Sequence, residues 1–446
     1  MRDGTNQSVA RFSGYLKDLD KAENAYVTHV RKGTPGGEYL RCFWQPIALS
    51  SSVQELPHRV RIFGEDLVLF RDLSGRLGCL HLHCSHRGAS LEFGVVTDQG
   101  LSCCYHGWLY DVDGTILETP GEPASSKIKD RISHGAYPVQ EYSGLIFGYF
   151  GPPEAQPPFF LTDAVAQAGN ELHPYLLSFP CNWLQCHENS MDPLHSVFLH
   201  TRISGVQFSD AFGVLPVTSY QQTRLGTIST TTRRVGDHVW VRVNDELTPN
   251  IAQFGPPWED GHSQKLFAPP AITRWIVPVD DTHCITIGWR HFNALVDPDR
   301  RGKPDEIGLE KVDFFGQTPD RSYEDRQREP GDYDAQISQR SIAVHGLENL
   351  GSTDIGIAIL RRNLQREIGK LEKGEIVNEL PIGDDGVLNT YAHDTVLHVP
   401  QGGGDDKQLL AKIGQLVTAA TVDTWDIPGD GRRAAAIAKL QERGLC

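Results

Sequence analysis

The sequence predicts an α+β chain made of two unlike parts. An all-β first domain is followed by a larger domain in which helices cover an antiparallel sheet. Two observations carry this. From Tyr39 to Gly151 the chain reads as short strands separated by tight turns, whereas farther on long β-runs are joined by a segment of helical period. A length of 446 residues suits two or three domains with a sizeable core.

The elements follow in order. Val60–Ile62 and Leu67–Phe70 flank Gly64-Glu65-Asp66. Trp108–Val112 and Thr115–Glu118 flank Asp113-Gly114, a strong two-residue hairpin signal. Leu145–Phe150 reads as a buried strand running into Gly151-Pro152-Pro153 and Gln156-Pro157-Pro158, a domain boundary. Val239–Val243 and Cys284–Trp289 read as strands of an antiparallel sheet. Ile357, Leu360, Leu364, Ile368 and Leu371 step as one face of a helix, with Ser352 as expected N-cap and Gly374 as stop. Gly402-Gly403-Gly404 reads as a joint before a last helix carrying Leu409, Ile413 and Leu416. The expected domains are an N-terminal segment, 1–38, packing on the larger domain; the β domain, 39–155; the larger domain, 156–400; and a helical extension, 401–446.

Composition excludes several classes. Lys+Arg number 42 and Asp+Glu 57, a net charge of −15, which argues against nucleic acid or an anionic membrane as partner. No run approaches the ~18 apolar residues of a membrane span, and the first residues show no secretory signal. Nine cysteines without such a signal read as reduced thiols in a cytoplasmic protein, some of them metal ligands.

Two constellations carry chemistry. Cys84-Ser85-His86-Arg87-Gly88 and Cys103-Cys104-Tyr105-His106-Gly107-Trp108 place two thiols and two imidazoles on two loops, a set that suits zinc or an iron–sulfur cluster. Cys104 reads as a neighbour, and His81 and His83 as ordinary strand histidines. Farther on, Asp192-Pro193-Leu194-His195 and His200 form D-x2-H-x4-H. Two His and a carboxylate on one side of a metal, with open positions opposite, is the arrangement of non-haem Fe(II) oxygenases. His195 and His200 lie five apart, which on a straight α-helix splays them by about 140°. A π-bulge, or a helix ending before His200, is therefore expected. Asp192, one turn before His195, is placed to orient its imidazole, and Pro193 fits a first helical turn.

The first constellation, with its flanking Arg-Gly and Gly-Trp, resembles a Rieske [2Fe–2S] domain. The resemblance implies that Cys84 and Cys103 bind one iron and His86 and His106 the other, with a raised reduction potential. Together the two motifs resemble the Rieske non-haem iron oxygenases, α subunit, in the phthalate-dioxygenase-like branch that has α subunits alone. That resemblance covers about Tyr39 to Arg366. It implies a mononuclear Fe(II) held by His195, His200 and a distant carboxylate, with Asn189 and Asp192 as supporting residues of the catalytic site. Asp192 is then the bridge to the Rieske histidine of a neighbouring subunit. The carboxylate matches Asp332, with Asp334 as the alternative. Arg340 stands where the branch pattern has Gly.

The resemblance further implies a terminal oxygenase that uses O2 to hydroxylate or O-demethylate an aromatic, carboxylated substrate, as a homotrimer or a hexamer. No G-x-G-x-x-G after a strand and no C-x4-C-x2-C loop is present. Electrons are thus expected from a separate ferredoxin, flavin reductase or both. Arg242, Arg274 and Arg290 are candidates for a substrate carboxylate. The competing readings are N-demethylation or a non-aromatic substrate, a pure Rieske electron carrier, and a zinc protein.

Overall fold

The computed structural model describes Phe12, Gly14 and residues 21–429 and 431–445. Much of the expected N-terminal segment lies outside these residues, as does Cys446. In the described part, α1 (Ala25–Thr28) and α2 (Pro35–Arg41) bury Val27 and Val30. They are tied to the larger domain: Asn182 donates to Thr28 O (2.9 Å), and Val30 N donates to Asp281 (2.9 Å).

The β domain is three small antiparallel sheets. β1 (Gln45–Leu49) pairs with β10 (Leu145–Gly148), and β10 with β9 (Val139–Tyr142). β2 (His58–Ile62), β3 (Glu65–Arg71) and β4 (Leu77–His81) form the second, and β5 (Val95–Val96), β6 (Leu101–Ser102), β7 (Leu109–Tyr110) and β8 (Ile116–Glu118) the third. Asp113-Gly114 turns between β7 and β8 as expected, with Gly114 at φ +84°. Glu65 and Asp66, expected in a turn, instead open β3, and Phe63-Gly64 make the turn at positive φ.

Side chains alternate along β3, and the alternation divides two cores. Val68 and Phe70 pack with Leu80, Trp108 and Tyr110 in a small core that also contains Cys84 and Cys103. Leu67 and Leu69 face the other way, into the large core shared with the second domain. The sheet behind the cysteines is thus clamped from both sides.

In the larger domain, short β11 (Leu161–Thr162) and α3 (Asp163–Ala166) lead into β12 (Glu171–Phe179). Helix α4 (Trp183–Asn189) and α5 (His195–Val197) follow. The chain then builds β13 (Val217–Gln222), β14 (Gly226–Val235), β15 (His238–Leu247), β16 (Ile251–Phe254), β17 (Lys265–Ala268), β18 (Ile272–Asp280) and β19 (His283–Phe292). Then come α6 (Tyr323–Arg328), α7 (Asp332–Ile337), α8 (Ile355–Glu372), β20 (Val387–Leu388), β21 (His393–His398), α9 (Asp406–Asp423) and α10 (Gly431–Glu442). The main sheet has nine antiparallel strands, in the order β12-β19-β18-β16-β15-β14-β13 with β21 and β17 branching from β15.

Each face of this sheet carries its own helices. Thr230 bonds Thr418 of α9, and Thr232 abuts Gly414. On the opposite face Thr227 accepts from Asn363 of α8, and Thr231 and Arg233 line a pocket beneath α4 and α5. The α8 helix stops at Gly374 (φ +79°) as expected. Its start differs: Ser352 opens a single 3-10 turn, and Asp354 precedes the first α-helical residue.

Candidate active site

The two loops of the first constellation fold alike. In each, a glycine four residues after the cysteine donates its N–H back to that cysteine's carbonyl: Gly88 to Cys84 and Gly107 to Cys103, both 2.9 Å. Both glycines have positive φ, +75° and +69°, which explains the residue type. Cys84 N and Cys103 N close the turns on Ala89 O and Trp108 O, again at 2.9 Å. The thiols end up buried and adjacent, and the imidazoles half-buried above them.

The His86 and His106 ring centroids lie 4.5 Å apart, and His86 stacks on Trp108 at 4.7 Å. The Tyr110 hydroxyl sits 2.9 Å from Cys84 Sγ. His86 Nδ1 is buried without a hydrogen-bond partner. A ring nitrogen orphaned beside two thiols is what a ligand to an iron–sulfur group requires, so the residues fit the cluster. Cys104 is exposed. His81 contacts Glu65 (3.4 Å) and His83 Nδ1 contacts Gly88 O (3.1 Å).

At the second constellation the chain leaves α4, turns at Ser190–Leu194, forms α5, and continues as a π-helix over Phe198–Ile203. Turns closed by i→i+5 bonds bring residues five apart onto nearly one face. His195 and His200 accordingly face one another, with ring centroids 5.3 Å apart. Neighbours fix both tautomers. Gln207 uses its amide N–H on Pro330 O (3.1 Å), so its Oε1 must accept from His200 Nδ1 (2.8 Å). His195 Nδ1 donates to the backbone carbonyl of Asp192. Asp192 thus orients His195 through its main chain, while its carboxylate caps Leu194 N (2.9 Å) and His195 N (3.3 Å).

The free Nε2 atoms both point at Asp332, 3.6 Å away for His195 and 3.2 Å for His200. The three ligand atoms lie within 4.8 Å of one another, and His200 Nε2 is buried with no hydrogen-bond partner. Two imidazole lone pairs and a carboxylate converging in this way fit a mononuclear iron. Asp332 opens α7, delivered by a close crossing of Gly331 over Gly316. Its carboxylate also accepts from Gln317 (2.6 Å) and Asn189 (3.2 Å). Burial would raise its pKa, but His200 and His195 outweigh burial and hold it well below the usual range. Asp334 points elsewhere, paired with Arg321 (2.8 Å) and Arg326 (2.5 Å) and accepting from Gly331 N (3.0 Å).

The three residues open onto a cavity of about 100 Å³ whose walls include Phe208, Phe254 and Phe314. Three arginines line it. Arg242 is neutralised by a two-pronged pair with Asp394 (2.8 and 2.7 Å). Among the described residues, Arg233 and Arg274 have no carboxylate within bridging distance. Arg233 donates to Val214 O and Thr231, and burial, with Arg242 nearby, lowers its pKa to about 9. Arg274 donates to Ser190 (3.2 Å), and its Nε is buried without a partner. Arg290 is not a pocket residue: it forks onto Asp313 (2.6 and 3.0 Å).

Residues 43–142 match the Rieske [2Fe-2S] domain family. The chain is 40% identical to the oxygenase subunit of tert-butanol monooxygenase / tert-amyl alcohol desaturase from Aquincola tertiaricarbonis, over 97% of this chain and 96% of that one. It belongs to the Rieske non-haem iron oxygenases. A second relative in this family, the phenoxybenzoate dioxygenase α subunit of Ectopseudomonas oleovorans, is 39% identical over 77% of this chain and 84% of its own. Dicamba monooxygenase bound to dicamba shares the fold, with a TM-score of 0.57 at 18% identity over 76% of this chain and 100% of that one.

As a Rieske oxygenase terminal component, the chain uses a Rieske cluster, a mononuclear non-haem iron and O2. It depends on a separate redox protein for electrons. No described helix is long and apolar enough to cross a membrane.

Sequence reasoning missed Gln207 and Gln317, which hold His200 and Asp332 in place. It also missed two further groups, Cys181/Cys186/Cys284 and Glu188/His345/Glu348, that converge only through tertiary packing. In the second of these, Arg361 already bridges Glu188 and Glu348.

Proposed function

We propose that this oxygenase hydroxylates or O-demethylates an aromatic carboxylate at an iron held by His195, His200 and Asp332. Its cluster is held by Cys84, His86, Cys103 and His106. The observation that carries the substrate class is the pocket wall: two buried guanidiniums without carboxylate partners, beside three phenylalanines. A buried cation lacking a counter-charge is costly, and a planar guanidinium pairs well with a carboxylate.

When bound, the iron would supply a site for reducing dioxygen and the cluster a store of electrons for it. This chain's residues do the rest. Asn189 and Gln317 hold the carboxylate, Gln207 and the Asp192 carbonyl set the imidazoles, and the phenylalanines exclude water. Asp192 links the site to the cluster of a neighbouring copy in a homotrimer or hexamer. The working form is cytoplasmic, with the described cysteines unpaired as in a reducing compartment.

A second reading is favoured by the relative named for tert-butanol: a small non-aromatic alcohol occupies the same cavity, with Arg274 donating to its oxygen. A product screen separates the two. Reduced enzyme is given benzoate, 3-methoxybenzoate, anisole and tert-butanol, and diols, phenols and formaldehyde are measured. Oxidation of the aromatic acids but not of anisole upholds the first reading. Oxidation of tert-butanol alone replaces it with the second.

A further inference from the structure

A second polar cluster lies beneath the pocket, and nothing above uses it. Because side chains alternate on β15, Arg242, Asn244 and Glu246 share one face. The first two line the pocket, and Glu246 stands one step deeper. Across the sheet its register row is Thr227, Glu246, Ala252, Arg274 and Gly288. Ala252 and Gly288 leave the space over the row to Glu246 and Arg274, with His187 and Ser190 overhead.

The cluster is buried, with Glu246 2% and His187 1% exposed, yet it is not satisfied internally. Both Glu246 carboxyl oxygens, His187 Nδ1 and Arg274 Nε lack hydrogen-bond partners. His187 Nδ1 stands 3.5 Å from Glu246, and the Ser190 hydroxyl lies near enough to pull that carboxyl's pKa down, with no hydrogen bond joining the two in the resting arrangement. A run of buried unpaired polar atoms is costly and calls for a cause.

The protonation states supply one. Burial pushes the Glu246 carboxyl far above the usual range against the pull of Arg274, with Asp245 adding to the rise. Burial also drives His187 down to about 3, so the imidazole cannot have taken the proton. Ser190 lines the pocket and already accepts from Arg274. A hydroxyl has one donor and two acceptor positions. It can therefore also accept from Glu246 while donating into the pocket.

We propose that Glu246 is a proton donor for the oxygen chemistry, acting through the Ser190 hydroxyl. Monooxygenation consumes substrate, O2, two electrons and two protons and yields hydroxylated product and water. The electrons come from the partner redox protein. The Glu246 O–H breaks as a new Ser190 O–H forms, and the original Ser190 proton passes to the oxygen atom that leaves as water. The resulting carboxylate faces Arg274. It regains a proton from water entering as product departs, and the second proton comes from the same solvent.

The inference rests on oxygen chemistry at the His195–His200–Asp332 site. Its test uses holoenzyme reduced anaerobically, loaded with 3-methoxybenzoate and mixed with O2. Glu246→Gln matches the shape of a neutral acid but cannot give up a proton. Expected are unchanged iron and cluster content, unchanged substrate affinity and formaldehyde release slowed at least ~10-fold. Glu246→Asp recovers part of the rate. An independent readout is infrared: the carbonyl stretch of a protonated buried acid is present in the resting parent at neutral pH and absent from Glu246→Gln.

Parental rates in Glu246→Gln, a loss confined to affinity, equal loss in the Gln and Asp variants, or no such infrared band would each overturn the relay. If Glu246→Gln fails to assemble, Ser190→Ala carries the same kinetic expectation and decides it. A parent inert toward 3-methoxybenzoate counts against the aromatic reading instead, and the infrared band then judges the relay.

Discussion

Alanine at Gly331 tests how tightly the Asp332 carboxylate is placed, and with it the proposal that this carboxylate binds iron. Gly331 has φ −118° and ψ −170°, extended backbone that alanine adopts freely, so the change introduces no conformational strain. It introduces a collision. The new Cβ would lie 2.3 Å from Gly316 Cα and 2.5 Å from Gly316 O. Carbon atoms pack at roughly 3.5–4 Å, so the two segments must part by about 1 Å.

Asp332 is the next residue, and Tyr333 N is bonded to Gly316 O (2.9 Å), so the displacement falls on the ligand. Overpacking of this kind costs about 1–3 kcal/mol of stability, and a 1 Å shift at a reacting centre costs about 100-fold in rate. Purified Gly331→Ala should retain the two cluster irons while the third falls well below one per chain. Turnover should drop with it. Full occupancy of the third iron together with a parental rate would refute the claim that the glycine crossing positions Asp332.

Three other outcomes are expected. Asp192→Asn keeps the oxygen that caps His195 and the carbonyl that orients it; both metals should stay, while turnover falls about 10- to 100-fold. A parental rate would remove the bridging role. Tyr110→Phe deletes the hydroxyl 2.9 Å from Cys84, which favours the more negative reduced cluster, so a redox titration should find a lower potential. Glu65 is held down to about 2 from 4.5: burial opposes this, but His81, Tyr137 and Arg41 outweigh it. Its stabilisation is therefore complete above about pH 4.5 and is lost as pH falls toward 2. Glu65→Gln should cost ~1–3 kcal/mol at neutral pH, after allowance for solvent screening. Its Tm gap from the parent should close in acid, and a gap constant with pH would contradict the assignment.

Much of this architecture was legible because it is local. A spacing of five from one histidine to the next required an irregular turn, and a π-helix is present. The two short Cys/His pairs were expected on two loops, and each folds as a turn closed by the following glycine. What stayed hidden depends on distant partners. Asp332 and Asp334 look equivalent in Pro-Gly-Asp-Tyr-Asp until Arg321 and Arg326 turn one of them outward. Arg290 looked as available as Arg274, but Asp313 claims it. Val-Asn-Asp-Glu-Leu reads as the polar end of a strand. Only α4 crossing above makes Glu246 a buried acid.

The matched turns around Cys84 and Cys103 have a directional result. With sulfur inward and imidazole at the rim, the cluster would be sealed on one side and thinly covered on the other. Tunnelling decays steeply with distance, so traffic should pass by that rim alone, where Tyr105 lies exposed with Arg87 over its ring. One small port must then serve arrival and departure in turn.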